Sequence, residues 1–451
     1  MIASIQKKSF GRYNSPLKDY LIDQFNHDGT RVVYSNRYCE ADFSITHPST
    51  SYKNCRMING YPHFTLPLER CLCEIDRFIN GAVMYDRSYC IRFGDTHPDN
   101  IVPKFGQMRN VYIGDILHSL ILTSGRSRLV YPIGDVSEKT ITRYVDGDAS
   151  LEGSVKEHLV QHIMAGSNEQ DAILNRYKEW SKAKIESELK PFLDVIHVEP
   201  AILLESELYD DKETFEYIRN SISFQEGYKT NGNLKYCLQE LMFMLNYRFR
   251  DEKIICVLGD NQSDHVSKVL RIVEDNDVGG DYSFLEYGGC LNSLEKDMSN
   301  WSEHIRSITE SYSKAINDID IEPLDFLRIV FCAGGNSEAI DFSSFANAKA
   351  LIGKLDTIIE SIRVAERRIA PRPSYSSASM DLIAKMALVF QELDIAVVYG
   401  EQSKFFNYIY DISTAFLLSK DCEDVSKIFS SFMRRALHVL SLDKLSFYSR
   451  L

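Results

Sequence analysis

Three short apolar runs, the first and last followed by helical stretches, constrain this chain more than any other feature. They are Tyr89-Cys-Ile-Arg-Phe93, Leu129-Val-Tyr-Pro-Ile133 and Ile254-Ile-Cys-Val-Leu258, the last closed by Gly259. Such runs are too short for core helices and are nearly continuous in apolar character, so they predict buried strands. Helical periodicity over Met108 to Thr123 separates the first two, and a helix from about Asp264 to Val273 follows the third. Strands that alternate with helices imply a parallel sheet. The expectation is therefore an α/β, Rossmann-like fold with its site at the carboxyl ends of the strands.

The flanks read differently. Before Tyr89, Arg31-Val-Val-Tyr34 and His63-Phe-Thr-Leu66 have strand character and Leu68 to Ile79 has apolar residues at helical spacing. This predicts a small N-terminal α+β domain over 1–87. Ala370-Pro-Arg-Pro-Ser-Tyr-Ser-Ser-Ala-Ser379 is rich in residues that punctuate structure. Beyond it, Met380 to Leu393, Ser403 to Leu418 and Val425 to Leu440 carry apolar residues on one face. The expected division is 1–87, 88–370 and 371–451, the last an all-α helical bundle. A chain of 451 residues suits several domains, because single cores rarely grow beyond about 250–300 residues.

Composition removes several function classes. No stretch approaches the roughly 20 apolar residues of a membrane span, so no membrane partner is expected. Met1 to Tyr20 has no apolar core of a secretory signal. The ten cysteines are scattered, and Cys71 and Cys73 have no second pair at zinc-ligand spacing. The expectation is reduced, mostly buried thiols in a cytoplasmic protein, with no metal. A net charge of −13 argues against indiscriminate coating of nucleic acid. It leaves room for local basic patches, at Arg363, Arg367, Arg368 and Arg372 or at Arg434 and Arg435.

Ordered motifs then appear along most of the chain. Phe105-Gly-Gln-Met-Arg-Asn-Val-Tyr-Ile-Gly-Asp115 resembles the first signature helix of arginyl-tRNA synthetases, matching at Gly106, Arg109, Ile113, Gly114 and Asp115. Tyr131-Pro-Ile-Gly-Asp135, Glu205-Ser-Glu-Leu-Tyr209, Gly259-Asp-Asn-Gln-Ser-Asp-His265 and Tyr408-Ile-Tyr-Asp-Ile-Ser-Thr-Ala-Phe416 are similar to later family segments, in family order. Glu40-Ala-Asp-Phe43 and Ile58-Asn-Gly-Tyr-Pro-His-Phe64 resemble its N-terminal add-on domain. The resemblance implies a class I synthetase catalytic domain with connective insertion and stem region. A tRNA-contacting add-on domain would precede it and an anticodon-binding-like helical bundle would follow.

The same alignment implies a lost ATP site. The family's His-x-Gly-His, whose histidines stabilise charge on the phosphates, falls on Lys104, Phe105, Gly106 and Gln107. Its Lys-Met-Ser-Lys falls on Asp297, Met298, Ser299 and Asn300. A carboxylate facing a triphosphate is repulsive. The pocket for the amino acid is kept instead. The family's Tyr-x-x-x-Asp, which holds the arginine guanidinium, is matched by Tyr236 and Glu240, one turn apart on a helix face. Gln262 and Asn100 match residues that contact the substrate.

These changes point to a substrate that arrives already activated. The resemblance implies arginyl-tRNA, whose ester needs a nucleophile and a proton shuttle but no ATP or other cofactor. The expected reaction is tRNA-dependent arginyl transfer of the cyclodipeptide synthase type, with a second aminoacyl-tRNA as partner. The candidates for nucleophile, base and orienting acid lie after the first Rossmann strand, at Thr96, His97 and Asp95. The alternative is a non-catalytic relative that binds tRNA or arginine. The sequence leaves the oligomeric state open.

Overall fold

Five parallel strands carry the centre of the fold in the computed structural model. It describes residues 15–25, 32–34, 43–45, 56–58, 61–81, 88–94, 105–121, 127–135, 138–147, 159, 172–220, 236–246, 251–259, 262, 267–270, 273, 282–288, 290–291, 321–334, 340–341, 348–368, 375–419 and 421–445. The chain opens with helix α1 (Pro16–Phe25) and strands β1 (Val32–Tyr34), β2 (Phe43–Ile45), β3 (Arg56–Ile58) and β4 (Tyr61–Phe64). These strands form an antiparallel sheet of order β1-β2-β4-β3. Helix α2 (Leu68–Ile79) follows over the predicted span and buries Cys71, Glu74, Ile75 and Phe78.

The central sheet is built from β5 (Tyr89–Arg92), β6 (Ser127–Ile133), β7 (Ala201–Leu204), β8 (Lys253–Gly259) and β9 (Tyr282–Tyr287). Its order is β7-β6-β5-β8-β9, and every pairing is parallel. The chain therefore leaves β5 in one direction through β6 and β7 and in the other through β8 and β9. Open α/β sheets commonly take ligands at such a reversal, which here falls between β5 and β8.

Burial on both faces explains the apolar runs. Tyr89, Ile91 and Phe93 join Leu129, Tyr131 and Ile133 and Ile255 and Val257 in one core. Cys90 joins Val130, Ile254, Cys256 and Leu258 in the other. Alternate side chains of a strand point to opposite faces, so a strand covered on both sides has few places for polar residues.

Helix α3 (Phe105–Ile121) crosses from β5 to β6, and α4 (Glu138–Gly147) follows β6. Helices α5 (Ala172–Glu188) and α6 (Lys190–Val195) lead to β7, after which come α7 (Glu205–Leu208), α8 (Lys212–Arg219) and α9 (Tyr236–Leu245). Two-stranded β10 (Cys290–Leu291) and β11 (Ile340–Asp341) flank α10 (Pro323–Ala333). The chain then turns helical, with α11 (Ala348–Arg367), α12 (Ser377–Ala387), α13 (Val389–Tyr399), α14 (Gln402–Leu418) and α15 (Ser426–Val439).

The single helix expected over Met380 to Leu393 is two helices. Leu388 leaves helical geometry at φ −74° and ψ 1°, and its N–H turns back to Lys385 and Met386. The Tyr408 hydroxyl of α14 donates to the same two carbonyls, at 2.5 and 3.2 Å. A side chain from a later helix thus satisfies groups that a helix end would leave orphaned. Helices α12 to α15 share one core with α2, α3 and one face of the sheet.

Candidate functional site

Three residues from α3 fix the carboxyl edge of the sheet. Asn110 is buried at the β5–β8 reversal. Its side-chain oxygen accepts from the Gly94 N–H at 2.5 Å, and its amide donates to the Val257 carbonyl at 2.8 Å. Arg109, fully buried, donates to the Gly288 carbonyl just past β9 and lies 5.7 Å from the Tyr287 ring centroid. The Tyr287 hydroxyl donates to the Gly106 carbonyl at 3.0 Å. Gly114 allows α3 to lie against β5: a Cβ there would stand 2.6 Å from the Phe93 ring. Gly94, at φ +74°, faces Tyr131 just as closely.

Two further motif residues, Asp115 and Asp135, act as buried ties. Asp115 is 1% exposed and pairs with Arg328 and Lys444, each at 2.7 Å. Burial would raise its pKa, but the two cations overcome that and hold its carboxyl below the usual range. Asp135 accepts from the Ser206 N–H at 2.8 Å and from its hydroxyl at 2.6 Å. This joins the end of β6 to α7. Burial pushes the Asp135 carboxyl up to about 6.

An open recess of about 280 Å³, counting its mouth, lies at the carboxyl ends of β5, β6 and β7. Its enclosed part, about 20 Å³, has room for about one water molecule. Arg92, Glu205 and Phe243 line it, with the Pro132–Gly134 backbone segment. Glu240, on α9, is buried behind them and pairs with the Arg92 guanidinium. That guanidinium also lies 5.4 Å from the Phe243 ring centroid. Cys256 faces the pair from β8, and burial pushes its thiol up to about 12. A thiol so raised is a neutral packing group.

The sequence-derived candidates divide. Glu240 is buried behind the recess, paired with Arg92, and Tyr236 begins its helix. Gln262 is half-buried just beyond the end of β8. Gly106 and Gln107 lie in the first turn of α3. Asp95, Thr96, His97, Asn100 and Lys104 lie outside the described residues, as do Asp297, Met298, Ser299 and Asn300. Sequence reasoning missed Arg92 because it read as one polar interruption of a buried strand. A charge inside such a strand was the available signal, since buried charges are paired or functional.

The basic clusters are engaged in part. Arg434 pairs with Glu366 at 2.7 Å, Arg363 reaches Glu360 at 4.0 Å, and Arg368 lies 4.8 Å from the Phe416 ring centroid. Arg435 is close to Gly81, and Arg372 lies outside the described residues. Among the described residues, no group of three or more His, Cys, Asp or Glu is arranged to hold a metal ion, and no helix is long and apolar enough to cross a membrane.

A parallel sheet that reverses at a central strand, with a recess at its carboxyl edge, defines a Rossmann-like α/β fold. Within that class the chain has the fold of arginyl-tRNA synthetases. It matches the enzyme of Plasmodium falciparum with a TM-score of 0.65 at 12% identity, over 98% of each chain. The Thermus thermophilus enzyme matches with a TM-score of 0.58 at 11% identity, over 95% of this chain and 97% of that one. A putative arginyl-tRNA synthetase of Campylobacter jejuni gives 0.55 at 13% identity, over 84% of this chain and 98% of its own. Identities this low establish the fold and not the activity. No protein-family model and no curated protein matches the sequence.

Proposed function

We propose that this protein transfers the arginyl group of arginyl-tRNA without consuming ATP, and joins it to a second aminoacyl group as a cyclic dipeptide. The observation that carries the reading is a carboxylate, Glu240, that already accepts a guanidinium beside the Phe243 ring, behind a small recess at the carboxyl edge of a synthetase-like sheet. Carboxylates accept guanidinium in a fork and aromatic faces attract it. The sequence departs from the family where ATP would be handled, at Lys104, Gln107, Asp297 and Asn300. Tyr236, Glu240, Gln262 and Asn100 are the proposed contacts to the arginyl group, and the division 1–87, 88–370 and 371–451 is the proposed domain plan.

The chemistry follows from the ester. Thr96, with His97 as base and Asp95 orienting it, attacks the arginyl carbonyl. The bond to the tRNA ribose oxygen breaks, and that oxygen takes a proton from the imidazolium. The amine of the second aminoacyl-tRNA then displaces the threonine oxygen. The free amine of the resulting dipeptidyl-tRNA attacks its own ester, closing the ring and releasing the second tRNA. Two esters supply the driving force for two amide bonds.

The test incubates the protein with arginyl-tRNA and a pool of other aminoacyl-tRNAs and seeks an arginine-containing cyclic dipeptide by mass spectrometry. Arginine-dependent exchange between pyrophosphate and ATP is expected to stay at the no-enzyme level, and robust exchange would overturn the reading. The pairing of Glu240 with Arg92 favours a second reading, a non-catalytic tRNA- or arginine-binding relative. Binding of tRNA without any product would select it.

A further inference from the structure

The carboxylate assigned to the arginyl group already holds a guanidinium, that of Arg92. We propose that Arg92 is a specificity-determining residue, a resident guanidinium that excludes free arginine from the recess and yields only to an arginyl group tethered to tRNA. This inference rests on the function proposed above. Arg92 ends β5, where its backbone is fixed between Val130 and Cys256. From there its side chain reaches Glu240 and the Phe243 face, the two surfaces that an arginyl side chain would use. The pair is nearly dry, with side-chain exposures of 8% and 6%. A second guanidinium at this nearly dry carboxylate would meet the like charge of the first; Asp115 carries two cations, but one of them, Lys444, is 27% exposed to water. An incoming cation must therefore displace Arg92 toward the open side of the recess, which Arg92 itself lines.

Both ligands bear the same displacement penalty, which empties the site of dilute free arginine and leaves it open to a group held at high local concentration. The apparent affinity of free arginine falls by the fraction of molecules in which Arg92 is away from Glu240. A tethered arginyl group meets the same barrier at a high effective concentration, because contacts to the rest of the tRNA hold it at the recess. An enzyme that skips activation has no use for the free amino acid, so this discrimination protects the site from a non-reacting competitor.

The test titrates free arginine into the full chain and into Arg92→Met and Arg92→Gln variants by calorimetry, with citrulline as the neutral isostere. Folding of each variant is checked by circular dichroism. Free arginine is expected to bind the wild type weakly. It should bind a folded Arg92→Gln or Arg92→Met protein on the order of tenfold or more tighter, with no gain for citrulline. Arg92→Gln with Glu240→Gln should lose the gain. Arg92→Lys keeps the charge without the fork and should gain less, which serves where the neutral variants do not fold. Tight binding of free arginine by the wild type, or an unchanged affinity in a folded variant, would overturn the inference. Gel shifts with arginyl-tRNA test the underlying reading separately: no tRNA binding removes that reading, while the arginine titrations still decide the role of Arg92.

Discussion

Replacing Asp115 by Asn should loosen the attachment of the C-terminal helices to the sheet. Asp115 sits on α3 at 1% exposure, and its two oxygens accept from Arg328 and Lys444. Arg328 also donates to the carbonyls of Ser441 and Ile196, and Lys444 donates to that of His197. One carboxylate thus ties α3 to α10, to the segment before β7 and to the turn after α15. Removing one member of a buried pair costs about 3–5 kcal/mol, because the partner charge stays buried and uncompensated. Arg328, at 3% side-chain exposure, accounts for most of that cost. Lys444, at 27%, can turn to water, so its share is discounted. The assay is urea unfolding followed by circular dichroism, with limited proteolysis to report release of the C-terminal helices, since a chain of this size need not unfold in one step. Asp115→Asn and Arg328→Met should each cost about 3–5 kcal/mol and Lys444→Met less than about 1. The double variant Asp115→Asn/Arg328→Met should cost less than the sum of its singles. A loss below about 1 kcal/mol for Asp115→Asn, or simple additivity in the double variant, would refute the reasoning. The sign with pH is fixed by the lowered folded pKa of Asp115. Its contribution is present above the unfolded carboxylate value and is lost as pH falls through the lower folded one.

Three further outcomes are expected. Gly114→Ala places a Cβ 2.6 Å from the Phe93 ring and should destabilise by about 1–3 kcal/mol, read as a lower urea midpoint; an unchanged midpoint would show that α3 can shift away from β5. Asn110→Ala removes two buried hydrogen bonds at the β5–β8 reversal and should cost about 2–3 kcal/mol, whereas Asn110→Asp, which cannot donate to Val257, should be no better; rescue by Asp would assign the stability to the Gly94 contact alone. Asp135 has its carboxyl raised from 3.8 to about 6, so its favourable contribution is full below the unfolded value and is lost as pH rises through about 6. Relative to wild type, Asp135→Asn should therefore gain up to about 3 kcal/mol between pH 4 and 7, and a pH-independent difference would show that this carboxyl titrates normally.

The three central strands of the sheet were legible because burial on two faces leaves a local record. Tyr89 to Phe93 and Ile254 to Leu258 have few polar positions, since both faces are covered. The Leu68–Ile79 helix was legible for a similar reason, its one buried face being written at helical spacing. The motif residues were visible, but part of their meaning was not. Asp115 and Asp135 read as family signatures, and the fold uses both as buried ties between distant segments. Tyr408 read as part of a tRNA-binding helix, and its hydroxyl closes the end of another helix. The break at Leu388 was hidden because the group that stabilises it comes from a later helix.

At the candidate site, sequence alone determined that a carboxylate stands one helical turn from Tyr236, because i and i+4 share a face. Which guanidinium meets that carboxylate was decided only by tertiary structure. Arg92 and Glu240 lie on a strand and a helix far apart in the chain, and the parallel register of β5 with β8 and β6 brings them together. A one-residue slip of that register would turn Arg92 to the opposite face of the sheet. Local pattern records what each residue does within its own element. Long-range pairing depends on how elements dock, and no neighbouring residue carries that information.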